Sequence, residues 1–472
     1  MKFKMLMAVL LVTGFLYAEP YRENERVVFV GDSITHGGSY HTLIQYFYAT
    51  HFPDRKVACF NVGISGDTAH GGAQRSSVNG DGIWERDVRM YAPTAAAVML
   101  GMNDVGGSHF ESSTSREQLM SFHEKQLGWY RANYASLLNH LEAQRIDRIA
   151  LIKSSPYDQT MVNPQAQHNL LKFGFGKNDA IIDFGEKVID EEAEKRGYPV
   201  CDFNSALLEI NERRQQNDPA FTLVGLDRVH PGEAGHTVMG YTFLKFQGLE
   251  GPVAEVELRL NDPEKKWTVK NAVVSSLKTG AGQVQFDYTA NALPMVRQSY
   301  EKAEGLIPFE EAFNREILRV AGLTDGMYRV QIGDKTAGRF SHTELDAGIN
   351  LARLDTPQLQ QSQKVYLLGL KQKKIMADIR SVVWAVGYLS KIKDHDAADK
   401  NANLEMIRRI DAGFEPEGLW APPSDYVKHV LAQYVRCIDD YDLLFQRLEN
   451  TIDKIYEMAQ PMTHRVKIVK IK

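Results

Sequence analysis

The chain has 472 residues, 43% hydrophobic and 24% charged, with a formal charge of −5 at pH 7. That length is more than one compact core organises and points to two or three domains, in a composition ordinary for a soluble globular protein. The acidic balance argues against nucleic acid as a main partner, because phosphate binding wants a basic surface.

Lys2 and Lys4 precede a largely apolar stretch, Met5 to Tyr17, too short to span a bilayer comfortably, and Ala18 can end it as the last residue before cleavage. Residues 1–18 therefore read as a signal peptide of an exported, periplasmic or extracellular protein. No later stretch is long and apolar enough for a membrane span. Short apolar runs then alternate with helical patterns. The runs are Val27–Val30, Val57–Val62, Ala95–Leu100, Ile149–Ile152 and Pro199–Phe203, and the helices are expected near Tyr40–Thr50, Arg116–Gln144, Asp179–Arg196 and Gly232–Gln247. Runs apolar on both faces suit buried parallel strands, and their alternation with helices predicts a three-layer α/β sandwich over residues 19–250. Ligands of such sheets bind beyond the carboxyl ends of the strands.

From Gly251 the pattern changes. Residues 251–345 read as a β-rich accessory region with strands at Glu255–Leu260, Val269–Val274 and Gln283–Tyr288, a hairpin at Met327–Ile332 and Lys335–Phe340 around Gly333-Asp334, and one helix at Phe309–Val320. Residues 346–472 read as a helical hairpin. Its first leg carries Leu368, Ile375, Ile379, Val382, Val386 and Leu389. Its second carries Val427, Leu431, Tyr434, Ile438, Tyr441, Phe445, Leu448, Ile452 and Ile455 at alternating steps of four and three. Gly413, Pro416, Gly418, Pro422 and Pro423 break the helix between them. These stripes are expected to form structural core, with a homo-oligomer through this region as a further possibility. The tail Arg465–Lys472 alternates basic and apolar residues, as an edge strand would. Cys59, Cys201 and Cys437 are odd in number and far apart, which fits neither a disulfide framework nor a zinc site; the first two lie in apolar runs and read as buried thiols.

Four motifs follow strands or precede a helix. Gly31-Asp32-Ser33-Ile34-Thr35 comes directly after the first run. A serine there sits on a tight turn with its hydroxyl exposed, and it becomes a nucleophile if a base takes its proton. Asn61-Val62-Gly63-Ile64-Ser65-Gly66-Asp67 follows the second run, and Gly66 can present its N–H to an oxyanion. Leu100-Gly101-Met102-Asn103-Asp104 follows the third, and Asn103 can donate a side-chain N–H to the same charge. Asp227-Arg228-Val229-His230-Pro231 precedes the last helix of this region; an Asp and a His three residues apart on a turn let the carboxylate hold one imidazole nitrogen while the other faces the serine. His236 is a rival base, but it lies within the following helix and has no acid three residues before it. Taken singly, the glycine motif is better explained as an ordinary glycine-rich turn, and the Asn-Asp pair equally well as a turn or helix cap.

The four motifs together, in this order, resemble the SGNH/GDSL hydrolase family over about residues 25–250, with Ser33, Gly66, Asn103 and His230 matching its four blocks and Asp227 completing the triad. Ile34 stands where the family's alternative name has Leu, at a position without chemistry. The resemblance implies a flavodoxin-like fold, ester hydrolysis through an acyl-enzyme, Ser33, Asp227 and His230 as catalytic residues, and Ser33, Gly66 and Asn103 as the oxyanion hole, with no cofactor and no metal. The α/β-hydrolase alternative needs G-x-S-x-G, which is absent from the sequence. His36, His70, His109 and Trp84 are expected near the mouth; the spacing of the three histidines fits no zinc motif. The stretch from Gly106 to Gln165 reads as an elaboration over the site. By analogy with exported members of the family the expected substrate is an O-acetylated carbohydrate, against a lysophospholipid, a thioester or a general short-chain ester; the alternative of another class is a catalytically silent carbohydrate-binding or scaffold protein.

Overall fold

The computed structural model describes residues 18–262, 266–280, 282–419 and 423–471. The signal-peptide reading, apart from Ala18, lies outside the described residues, as do Pro422 and Lys472.

Strands β1 (Arg26–Gly31), β2 (Ala58–Gly63), β3 (Ala95–Met99), β4 (Arg148–Lys153) and β5 (Val200–Asp202) form one parallel sheet in the order β2-β1-β3-β4-β5. Every residue of β2 and β3 is buried, as strands covered on both faces must be. The helices of this half are α1 (Ser33–Gly37), α2 (Tyr40–His51), α3 (Ala69–Arg75), α4 (Ser108–Ser112), α5 (Arg116–Ala143), α6 (Lys177–Phe184), α7 (Asp190–Arg196), α8 (Phe203–Gln215) and α9 (Glu233–Phe246). Helices α2 and α8 pack on α9, and α3 and α6 on α5, so two helical groups flank the sheet. The result is the expected flavodoxin-like three-layer α/β/α arrangement. The strand order reverses between β1 and β3, where ligands of such sheets bind. The segment read as one helix over Asp179–Arg196 is α6 and α7 joined by a π-helical turn, Gly185–Ile189.

The β-rich region holds two sheets. Strands β6 (Ala254–Arg259), β7 (Trp267–Lys270), β10 (Glu316–Ala321) and β13 (Ile349–Asn350) make one; β8 (Ala272–Gly280), β9 (Gln283–Ala290), β11 (Met327–Ile332), β12 (Lys335–Ser341) and β14 (His464–Ile471) make the other. They enclose a core of their own that includes Val256, Leu258, Phe286, Leu318, Val330 and Ile468. Three expectations need correction. The helix Phe309–Val320 is only α10 (Phe309–Phe313): the Asn314 side chain bonds both the N–H and the carbonyl of Met295, and Glu316–Ala321 alternates buried and more accessible residues as strand β10. The run Val269–Val274 divides at Asn271, which turns the chain from one sheet to the other with φ 52, a conformation asparagine tolerates better than most residues. The tail is a central strand, paired on both sides with β9 and β11, rather than an edge. Alternation reports one buried face, and that is common to edge and central antiparallel strands.

After α11 (His342–Ala347) the chain enters α12 (Pro357–Leu389), a helix of 33 residues capped by the Thr356 hydroxyl with proline at its first turn. Helix α13 (Lys400–Asp411) fills the loop, and the predicted second leg is broken by a 3-10 turn, Ile438–Asp440, into α14 (Asp425–Cys437) and α15 (Tyr441–Met458). Both pack along α12, as the heptad spacing requires. The helices also share one continuous core with the parallel sheet. Helix α12 lies over the open edge of β2: Gln372 donates to the Cys59 carbonyl and Tyr456 of α15 to that of Val57. Gln372 satisfies a carbonyl of the edge strand that sheet pairing leaves open, and Tyr456 shares the Val57 carbonyl with Gln45 of α2, which donates to it at 2.9 Å.

Candidate active site

Strand β1 delivers Asp32 and Ser33 to the switch point. Asp32 caps α1 by accepting the Ile34 N–H at 2.9 Å, which leaves Ser33 at the first helical position. Its N–H has no partner within the helix. Helix α1 can approach β2 because residue 63 is glycine; a Cβ there would fall 2.3 Å from the His36 nitrogen. The next turn places Gly66 exposed, with φ 81 and open space where a Cβ would stand. Among the described residues nothing accepts its N–H. The third loop clasps this turn: Asn103 Nδ2 donates to the Asp67 carbonyl at 2.8 Å, and Asp104 accepts the Ala69 N–H at 2.9 Å. The second N–H of the Asn103 amide has no acceptor among the described residues.

Across this crevice, 197 positions along the chain, His230 Nε2 lies 2.7 Å from Ser33 Oγ, and His230 Nδ1 lies 2.5 Å from Asp227 Oδ2. Asp227 Oδ1 accepts the N–H groups of Val229 and His230, both at 3.0 Å. Burial would raise the Asp227 carboxyl, but these bonds outweigh it and bring it down to about 2. The Asp227 hydrogen bond in turn lifts His230 above the ordinary histidine range, against burial. A neutral imidazole so held can take a proton from the serine, and the resulting imidazolium is stabilised by the carboxylate. Two further carboxyls of these loops, Asp32 and Asp104, are pushed up to about 7 by burial, and each keeps one oxygen without a partner.

The structure separates the other singled-out residues. His236 is buried in α9, stacked on Tyr40 and lowered to about 3 by burial, so it is no base for Ser33. His36 accepts the Ser65 N–H and is lowered to about 4, first by burial. His70 bonds Asn133, His109 is buried against Phe110, and Trp84 packs against Gly387 of α12. Among the described residues, no three His, Cys, Asp or Glu side chains are grouped to hold a metal ion.

Two elements of the site escape sequence reasoning. Arg228 takes φ 65, unusual for a bulky residue, and its buried guanidinium donates to the carbonyls of Asp158, Met161 and Gln167, anchoring the turn that carries Asp227 and His230. Arg75, wholly buried in α3, binds Asp67 and Asp87, and Asp87 binds Arg380 of α12 at 2.8 Å. Burial would raise Asp87, but the guanidinium of Arg380, then that of Arg75, holds it below the usual carboxylate range. Both systems rest on partners distant in sequence.

Residues 29–238 match the model of the GDSL-like lipase/acylhydrolase family. The chain is 24% identical to an acetylxylan esterase of Geobacillus stearothermophilus over 241 residues, 48% of this chain and 95% of the relative. It is 30% identical to a solved gut microbial diltiazem-metabolizing enzyme, covering 97% of this chain and all of the other with a TM-score of 0.83, so the likeness includes the sandwich and the C-terminal helices. With four loops meeting at the switch point and these likenesses beside them, the chain belongs to the SGNH/GDSL hydrolase family and is a carboxylic ester hydrolase.

Proposed function

We propose that the chain is an exported serine esterase that removes O-acetyl groups from carbohydrate through an acyl-enzyme. The observation that carries the mechanism is the continuous relay Asp227–His230–Ser33 at hydrogen-bonding distances. His230 Nε2 takes the Ser33 proton as Oγ attacks the ester carbonyl. The N–H groups of Ser33 and Gly66 and the Asn103 amide hold the oxyanion. The imidazolium then protonates the leaving alcohol, and water activated by the same ring releases the acid and restores Ser33. Residues 19–250 form the catalytic unit in this reading, behind a signal peptide at 1–18, with 251–345 and 346–472 as accessory regions. Among the described residues no helix is long and apolar enough to cross a membrane.

The sugar substrate is supported by the acetylxylan esterase relative and by the exposure of the site, whose His230 side chain is 48% accessible and leaves room for a bulky alcohol. A second reading, hydrolysis of small drug-like esters, is supported by the diltiazem-metabolizing enzyme that matches the whole chain. Acetate release from acetylated xylo-oligosaccharides, measured beside a series of nitrophenyl esters of rising acyl length, separates the readings. Efficient deacetylation of the oligosaccharide with a sharp fall beyond acetyl is expected; preference for long acyl chains, or inert oligosaccharide, removes the carbohydrate assignment.

A further inference from the structure

Resting on that reading, we propose that Trp384, a residue of the C-terminal helix α12, is a positioning residue of the oxyanion hole, fixing the peptide plane that carries the Gly66 N–H. Trp384 Nε1 donates to the Ser65 carbonyl at 3.1 Å. The Ser65 carbonyl and the Gly66 N–H belong to one peptide unit, which is planar and trans, so the two point in opposite directions. Holding the oxygen therefore aims the N–H. A carbonyl that accepts a hydrogen bond also polarises its peptide and makes the N–H a better donor. The clamp is needed because Gly66, at φ 81 and without a side chain, offers little resistance to rotation of that plane.

The other polar groups of Ser65 are also held from outside the turn. Its N–H donates to His36 Nδ1 at 3.0 Å, and its hydroxyl receives the Tyr426 hydroxyl of α14 at 3.0 Å. Trp384 is fixed in turn: it is 9% exposed, stacked on Tyr388 at 5.1 Å and met edge-on by Tyr426 at 5.7 Å. One turn earlier, Arg380 reaches Asp67, on the far side of Gly66, through Asp87 and Arg75. Both neighbours of Gly66 are thus tied to α12. The C-terminal helices complete the active site as well as covering the edge of β2.

The test is Trp384→Phe, which keeps a stacking ring and removes the N–H, with Tyr426→Phe at a half-exposed position beside it. Since losing an oxyanion donor outright lowers kcat by about 10²–10³, a misaimed one is expected to lower kcat per titrated active site about tenfold. KM should stay within about twofold, because the contact matters only once negative charge develops. Affinity for an alkylboronic acid, which forms a tetrahedral adduct on serine, should fall with kcat, and the acid limb of the pH profile should not move because His230 is untouched. Tyr426→Phe should give a smaller fall, about threefold, the size of one neutral hydrogen bond. Wild-type kcat per active site in folded Trp384→Phe overturns the proposal; if that variant does not fold, wild-type kcat in Tyr426→Phe overturns it. Labelling of the wild type by a fluorophosphonate runs alongside. Failure to modify Ser33 removes the acyl-enzyme reading and this inference with it, whereas an adduct at Ser33 with unaltered variants removes this inference alone.

Discussion

The parallel-sheet body and the β-sandwich are built from the same chain on different terms. In the body, strands buried on both faces, the helices around them and the C-terminal helices share one core. Charged groups are buried inside it: Arg75, Asp87 and Arg380 have essentially no exposed surface. The sandwich keeps its own, largely aliphatic and aromatic core between alternating strands; its buried acid, Glu316, bonds Tyr288 and has one oxygen unpartnered. The contrast teaches where buried charge is tolerated. A buried ion network is a weak source of net stability, but it fixes directions, and here it sits behind the turn that bears Gly66.

The comparison breaks most sharply at Ser33. Ser33→Ala should reduce ester hydrolysis by about 10⁴–10⁶-fold while leaving the melting temperature unchanged, since the mutation removes the attacking atom and little packing. Asp227→Asn should reduce kcat by about 10⁴-fold. It should also shift the pH profile in a defined direction. The base works when neutral, so activity falls as pH drops through the His230 pKa, which the Asp227 bond holds above 6.5; loss of the carboxylate moves that acid limb lower.

Arg380→Met probes the buried network. Stranding Asp87 beside a single remaining guanidinium should cost about 3–5 kcal/mol in denaturant unfolding, with kcat falling as the Gly66 turn loosens. In the sandwich, Glu316→Gln should leave kcat and KM alone. Burial raises the Glu316 carboxyl to about 7 from 4.5, so the folded state favours its protonated form. Its contribution to stability is full below pH 4.5 and is lost as pH rises through 7. The glutamine should therefore stabilise the protein by about 1–3 kcal/mol at pH 8 and have little effect at pH 4. A change in kcat on Glu316→Gln would show that the two regions are coupled.

What was legible in the sequence follows the range of the forces involved. Val27–Val30 followed by Gly31-Asp32-Ser33 announces a buried strand and a turn within a few residues, and Asp227 lies three positions from His230, so the serine, the histidine and the acid could be singled out as candidates, and the fold brings them within hydrogen-bonding distance. The helix expected over Phe309–Val320 failed because Asn314 stops it through bonds to Met295, a contact with no local signal. The tail's central place depends on strands formed more than a hundred residues earlier. Trp384 and Arg380 lie outside the apolar stripe Leu368–Leu389 that the spacing marks as core, and nothing local singles them out. Their bonds to Ser65 and Asp87, about three hundred positions away, appear only once the chain has folded.

The most direct test of the account is to react the full-length protein with a fluorophosphonate during ester turnover and map the adduct by peptide mass spectrometry. Inactivation in step with a single adduct on Ser33, abolished in a His230→Ala variant, is the predicted result. Continued turnover with that hydroxyl unmodified, or inactivation through another side chain, would contradict it.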